Sequence, residues 1–181
     1  MTVAPELVGA WRRVGLTLGG RRLVDCCDVV WLQTPSWFAD VRLRLAPGRA
    51  APTADVPAWL YAEAAFGGVA AWSAPRMTWR HELDLDGSVP PGCNDLCFDA
   101  GVLVERGDTE VNGRPTPFRE EWLRMSAADP TWSARRAGSA LRVEVGRWAI
   151  ELLDERPGGS FSAVRLESAG GEWREAGRLT G

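Results

Sequence analysis

Seven of the ten tryptophans in this 181-residue chain, Trp11, Trp31, Trp37, Trp72, Trp79, Trp122 and Trp148, lie inside short strand-like runs separated by Gly and Pro turns. A single tyrosine accompanies them. An indole buries a large flat area and keeps one N–H donor. So many of them on alternating segments restrict the chain to a β-architecture whose interior or rim is lined with rings. A cavity lined in this way suits a small, flat, partly apolar ligand.

The turn signals recur along the chain. Gly19-Gly20 separates 9–18 from 21–34, and Pro35-Ser36 separates the latter from 37–45. Asn112-Gly113, a favoured two-residue hairpin turn, stands between 101–106 and 117–125. Pro157-Gly158-Gly159 separates 141–155 from 160–168, and Gly170-Gly171 precedes 172–179. With 69–85, these runs predict about eight to ten strands joined by short turns, an arrangement open only to antiparallel neighbours. The expected fold is all-β: an antiparallel up-and-down β-barrel occupying residues 1–181 as a single domain. One short helix is expected over Val56–Ala65, with Asp55 as its cap ahead of Pro57. Residues 46–53 read as a linker and 126–138 as a long loop.

Period-two alternation assigns faces. Trp79, His81, Leu83 and Leu85 alternate with Arg80, Glu82, Asp84 and Asp86, so the first set should face inward. Leu141, Val143 and Val145 alternate with Arg142 and Glu144, and Trp148, Ile150 and Leu152 alternate with Arg147 and Glu151. In the hairpin around Pro35-Ser36, pairing Thr34 with Trp37 makes residues whose numbers sum to 71 face each other. One face is then wholly apolar, with Leu32 opposite Ala39 and Val30 opposite Val41. The other face pairs Gln33 with Phe38, Trp31 with Asp40, and Val29 with Arg42. If that mixed face points out, Asp40 and Arg42 form a surface pair of small energetic weight. If it points in, it is a polar binding wall. We expect the outer or rim placement.

Composition removes several function classes. All 21 basic residues are Arg, so Schiff-base chemistry, pyridoxal-phosphate attachment and a Walker-type phosphate loop have no lysine to use. The net charge of −3, with both signs interspersed, argues against nucleic acid as a partner. No apolar run approaches the roughly 20 residues of a membrane helix. No signal-peptide pattern opens the sequence, so a cytoplasmic protein is expected. Cys26, Cys27, Cys93 and Cys97 have the wrong spacing for a zinc clip and read as thiols, and no metal or cofactor is implied.

Two residues carry candidate acid–base chemistry. His81, the single histidine, is either a hydrogen-bonded core residue or a proton carrier in a cavity, since an imidazole titrates near neutrality. Glu120 lies two residues from Trp122. Facing in, it is an acid in an aromatic wall, where burial raises its pKa. Facing out, it pairs with Arg124 while Leu123 and Met125 fill the core. Asp95, Asp99 and Glu105 lack the pattern of a calcium loop and read as surface acids.

Gly9-Ala10-Trp11, opening the first strand, resembles the Gly-x-Trp signature of the calycin superfamily of lipocalins, fatty-acid-binding proteins and related barrels. The segment 30–42 (VWLQTPSWFADVR), with Glu120-Glu121-Trp122-Leu123-Arg124, is similar to lipocalin-like bacterial proteins of unassigned function. The resemblance implies a closed barrel with Trp11 sealing one end, under an Arg from a late strand for which Arg165 is the best match. It departs from the family in placing its one helix mid-chain.

Three functions are carried forward. The first is binding of a small hydrophobic or aromatic molecule, with Trp31, Trp79, Trp122 and Trp148 supplying stacking area and Gln33, Asp40, Arg42 and His81 orienting the ligand. The second is a cofactor-free isomerase or cyclase of secondary-metabolite type, or a lyase, in which His81 or Glu120 moves a proton. The third is a protein-interaction module docking through Trp37, Trp59 or Trp132.

Overall fold

The computed structural model describes residues 2–45, 56–57, 60, 62–87 and 92–181. The expected linker at 46–53, the Asp55 cap and Trp59 lie outside those residues. A 3-10 helix, Pro5–Leu7, precedes the first strand. The strands are β1 (Gly9–Leu18), β2 (Arg21–Arg22), β3 (Cys27–Gln33), β4 (Trp37–Arg44), β5 (Ala64–Ser73), β6 (Arg76–Asp84), β7 (Gly92–Asp99), β8 (Val102–Val111), β9 (Arg114–Arg124), β10 (Trp132–Ala137), β11 (Ala140–Val145), β12 (Trp148–Asp154), β13 (Phe161–Ala169) and β14 (Glu172–Thr180).

Sequential antiparallel pairing from β3 to β9, with β1 against both β3 and β9, closes an eight-stranded barrel, and β2 folds back on β1 as a short extra strand. Asn112 and Gly113 both take positive φ (51° and 75°), which is why Asn-Gly suits the β8–β9 turn. The all-β, antiparallel, closed architecture is the one the turn spacing implies. The mid-chain helix is not: of its described residues, Ala64 and Ala65 begin β5.

The remaining five strands form a separate meander, β10 to β14, laid against the outside of the barrel at β3–β6. The run 141–155 is two strands rather than one, because Gly146 turns back at φ 59° and pairs Val145 with Trp148. β10 occupies part of the expected loop at 126–138, and β7 crosses the segment read as surface acids.

This second sheet decides which way the 27–44 hairpin faces. Leu141, Val143, Ile150 and Leu152 make an apolar face that needs cover, and Val30, Leu32, Ala39 and Val41 supply it, all at 1% exposure or less. The apolar side of the hairpin is therefore the barrel's exterior, and the mixed side with Trp31, Asp40 and Arg42 faces the lumen. The register is as expected, with Trp31 opposite Asp40 and Gln33 opposite Phe38. The expected outer placement fails because the alternation has two apolar customers, and the second one lies a hundred residues downstream.

Inside the barrel, a second core gathers Trp11, Trp31, Phe38, Trp79, Leu103 and Trp122 with smaller residues. Trp11 is fully buried there, its indole N–H donating to Leu7 O at 3.0 Å in the 3-10 helix. The arginine over its ring is Arg124, 4.2 Å from the centroid, which also donates to Val8 O at 2.7 Å and to Glu6 O. Arg165 instead sits in the second sheet and pairs with Asp28 at 2.8 Å. A Cβ on Gly9 would lie 2.5 Å from Arg124 Nη1, so the glycine leaves room for the guanidinium.

One irregularity matters for the site. On β6, Gly68 opposes His81 while Gly67 opposes Leu83, so Glu82 is an extra, bulged residue. A Cβ on Gly68 would lie 2.1 Å from Arg80 O, so only glycine fits opposite the bulge. The bulge inverts the alternation beyond it: Leu83 turns to the inter-sheet core, and Asp84 turns into the barrel beside His81. No helix among the described residues is long and apolar enough to cross a membrane.

Candidate functional site

The barrel holds a cavity of about 530 Å³. Its aromatic lining centres on Trp31, which meets Trp79 edge-on at 5.8 Å and Trp122 edge-on at 5.5 Å. Trp11 stacks behind Trp31 at 6.2 Å and does not reach the cavity. The indole N–H groups of Trp31 and Trp122 are buried with no acceptor among the described residues. Beside them Phe66 stacks on His81 at 4.4 Å, with rings 8° from parallel, and the Arg42 guanidinium lies 5.2 Å from the Phe66 centroid.

The strand register explains why the polar groups converge. Arg13 on β1 opposes Trp122 on β9 and points into the barrel, where it bridges two carboxylates. It donates to Glu120 Oε1 at 2.7 Å and to both oxygens of Asp25 at 2.7 and 2.9 Å. Burial opposes the Arg13 charge, but Glu120 and Asp25 more than restore it, so the guanidinium stays charged. On β4, Arg42 donates to Asp40 at 3.0 Å, the two side chains being only 11% and 5% exposed. Burial raises the pKa of Asp40 against the pull of Arg42. This is a buried pair whose desolvation is costly, not a surface one.

Glu105 on β8 directly opposes Glu120, and both line the cavity. Its hydrogen-bond partner among the described residues is Asn94 on β7, whose Nδ2 donates to Oε1 at 2.6 Å. Burial pushes the Glu105 carboxyl up to about 8, and the facing Glu120 pushes it the same way. At neutral pH Glu105 therefore holds a proton and is a donor inside the cavity. Also lining the cavity, His81 Nδ1 and Asp84 Oδ2 are 2.5 Å apart, and Asp84 Oδ1 accepts the Asp86 N–H at 2.9 Å. This contact fixes the orientation of the imidazole ring.

Of the residues singled out from the sequence, Trp31, Asp40, Arg42, Trp79, His81, Glu120 and Trp122 line this one cavity. Gln33 and Trp148 do not. Gln33 is fully buried, its Nε2 donating to Thr34 O and Trp37 O in the β3–β4 turn. Trp148 belongs to the second sheet and packs on the inter-sheet core. Trp37 packs there too, while Trp132 is 52% exposed. Glu105, expected as a surface acid, and Asp84, expected to face water, are instead buried in the cavity wall, and Asn94 and Phe66, which were not singled out, line it too. The signal for Glu105 was present: centring the β8–β9 register on Asn112-Gly113 pairs residues whose numbers sum to 225, hence Glu105 with Glu120. Asp84 carried no such signal, because the bulge that turns it inward depends on its partner strand.

None of the four cysteines is in a disulfide, and no three His, Cys, Asp or Glu side chains among the described residues are grouped to hold a metal ion. Compared with known proteins, the chain matches no family model, no curated protein and no solved structure.

Proposed function

We propose that this chain is a calycin-like barrel, folded as one domain, that binds a small, flat, largely apolar molecule in the Trp31–Trp79–Trp122 cavity. The calycin assignment is supported by the closed eight-strand meander and by Trp11 held between the 3-10 helix and Arg124. The observation that carries the binding reading is the cavity itself: about 530 Å³, walled by rings and supplied with a few convergent polar groups. Its size matches small-molecule sites. The two indole N–H groups without acceptors are available to orient a ligand oxygen or nitrogen. Four cysteines held as thiols are consistent with a cytoplasmic location.

Native mass spectrometry of the protein isolated from its own host tests this reading. A bound small molecule is expected, together with its loss in Trp31→Ala at retained fold. A ligand-free mass, and no quenching of tryptophan fluorescence across a library of small aromatics, would overturn it.

A second reading is favoured by one arrangement. His81 backed by Asp84 at 2.5 Å in the cavity wall has the geometry of an oriented general base. A cofactor-free isomerase, cyclase or lyase would use it to move a proton of the bound molecule. This reading requires that the recovered molecule be chemically converted by the protein, and that His81→Gln abolish conversion while binding persists.

A further inference from the structure

The cavity has an unusual balance of charge. Asp40, Asp84, Glu105 and Glu120 line it from four different strands, and Asp86 and Asp108 stand at its exposed rim. Among the described residues that line it, Arg42 is the one arginine. The arginines nearby are committed: Arg13 is shared between Glu120 and Asp25, and Arg42 is paired with Asp40. Glu105 makes no salt bridge among the described residues, and faces a second carboxylate. Asp40, Glu105 and Glu120 are 4%, 8% and 2% exposed. One carboxyl oxygen of each accepts a hydrogen bond, from Arg42, Asn94 and Arg13 respectively.

Resting on the binding reading above, we propose that the ligand is an organic cation, a protonated amine or a quaternary ammonium on an apolar body. The aromatic and acidic halves of the cavity then serve one purpose. A cation over an indole face is attracted by the ring quadrupole, most strongly when both are shielded from water. Trp31, Trp79 and Trp122 supply the faces, and Glu105 and Glu120 supply the counter-charge. In the absence of ligand, a proton on Glu105 relieves the repulsion from Glu120. A cation entering beside the pair takes over that role, the O–H bond of Glu105 breaks, and its proton passes to the buffer. The groups facing Glu105 are Glu120 on β9, Asn94 on β7, and Asp40 and Arg42 on β4.

The test uses the whole chain and three phenyl probes of similar size: phenyltrimethylammonium, tert-butylbenzene and 3-phenylpropionate. Binding is read by tryptophan fluorescence. Proton release is read by calorimetry in buffers of different ionisation enthalpy. The expected result at pH 7 is at least tenfold tighter binding of the ammonium than of the other two, with most of one proton released. Glu105→Gln should abolish the release and cut the ammonium preference severalfold; its fold is checked by circular dichroism. Equal or tighter binding of the neutral or anionic probe overturns the charge assignment and leaves the binding reading standing. Failure of all three to bind at millimolar concentration overturns both. Ammonium binding without proton release in wild type removes Glu105 from the site and overturns the proposal as stated.

Discussion

Glu105 and Glu120 face each other across the β8–β9 ladder with both side chains buried in the barrel, and among the described residues Glu120 is ion-paired, to Arg13, while Glu105 is not. Two like charges directly opposite in an antiparallel pair repel. The chain resolves the conflict by leaving Glu105 protonated. The β8–β9 register thus sets the proton inventory of the cavity.

That inventory gives a pH dependence with a definite sign. The folded-state pKa of Glu105, about 8, lies above its ordinary value of 4.5. Between those values the folded protein holds a proton that the unfolded chain has lost, so stability falls as pH rises. The contribution is fully present below pH 4.5 and lost on passing through 8. The slope is on the order of 1 kcal/mol per pH unit. Glu105→Gln should flatten this part of the urea-unfolding profile, matching wild type near pH 5 and exceeding it near pH 9. An unchanged slope in the variant would show that Glu105 ionises freely in the fold.

Gly68→Ala should be among the most damaging small substitutions in the barrel. The new Cβ would meet Arg80 O at 2.1 Å and the Glu82 amide nitrogen at 2.8 Å, both backbone atoms of the bulge. Relief requires the β5–β6 ladder to move, and a loss of about 2–4 kcal/mol is expected. The His81–Asp84 contact depends on the same bulge, so the His81 imidazole resonances should shift as well. A variant as stable as wild type with unchanged imidazole shifts would count against the bulge.

Arg124→Ala removes the guanidinium from the Trp11 ring and two hydrogen bonds from the segment around the 3-10 helix. A loss of about 2 kcal/mol is expected. Amide exchange should accelerate at Leu7 and Val8, whose N–H groups donate to Ala4 O and Pro5 O. Arg165→Ala should leave that exchange unchanged, because its partners are Asp28 and Ala176 O.

Leu152→Ala opens a hole between the second sheet and the barrel. Leu152 is 1% exposed, and its Cδ1 reaches to 2.7 Å from where a Cβ on Gly67 would sit. A destabilisation of about 2–5 kcal/mol is expected. Since β11 and β12 cover the barrel's apolar exterior, barrel and sheet should unfold in one transition. Two separated transitions in the variant would mean that the sheet is a dispensable cover.

Much of this architecture was legible in the residues. Gly-Gly, Pro-Ser and Asn-Gly turns mark the hairpins, and the pairing of Thr34 with Trp37 gives the β3–β4 register residue by residue. The Asn112-Gly113 turn equally contains the Glu105–Glu120 pairing. Strand count was harder to read. A tight turn such as Gly146-Arg147 barely interrupts an alternating run, so a hairpin can pass for one long strand.

By itself the sequence determined the class of fold, the local pairings and, except beyond the Glu82 bulge, which side chains share a face, because turn chemistry and period-two alternation act over a few residues. It did not determine which face is inside. Val30 and Trp31 are both 3% exposed or less, one beneath the second sheet and the other in the barrel. Only the folded chain brings Leu141 and Leu152 to cover the first, and so turns Trp31, Asp40 and Arg42 into the lumen. It likewise took the pairing of β5 with β6 to create the bulge that carries Asp84 to His81. Burial is a property of what arrives from elsewhere in the chain, and no local pattern encodes it.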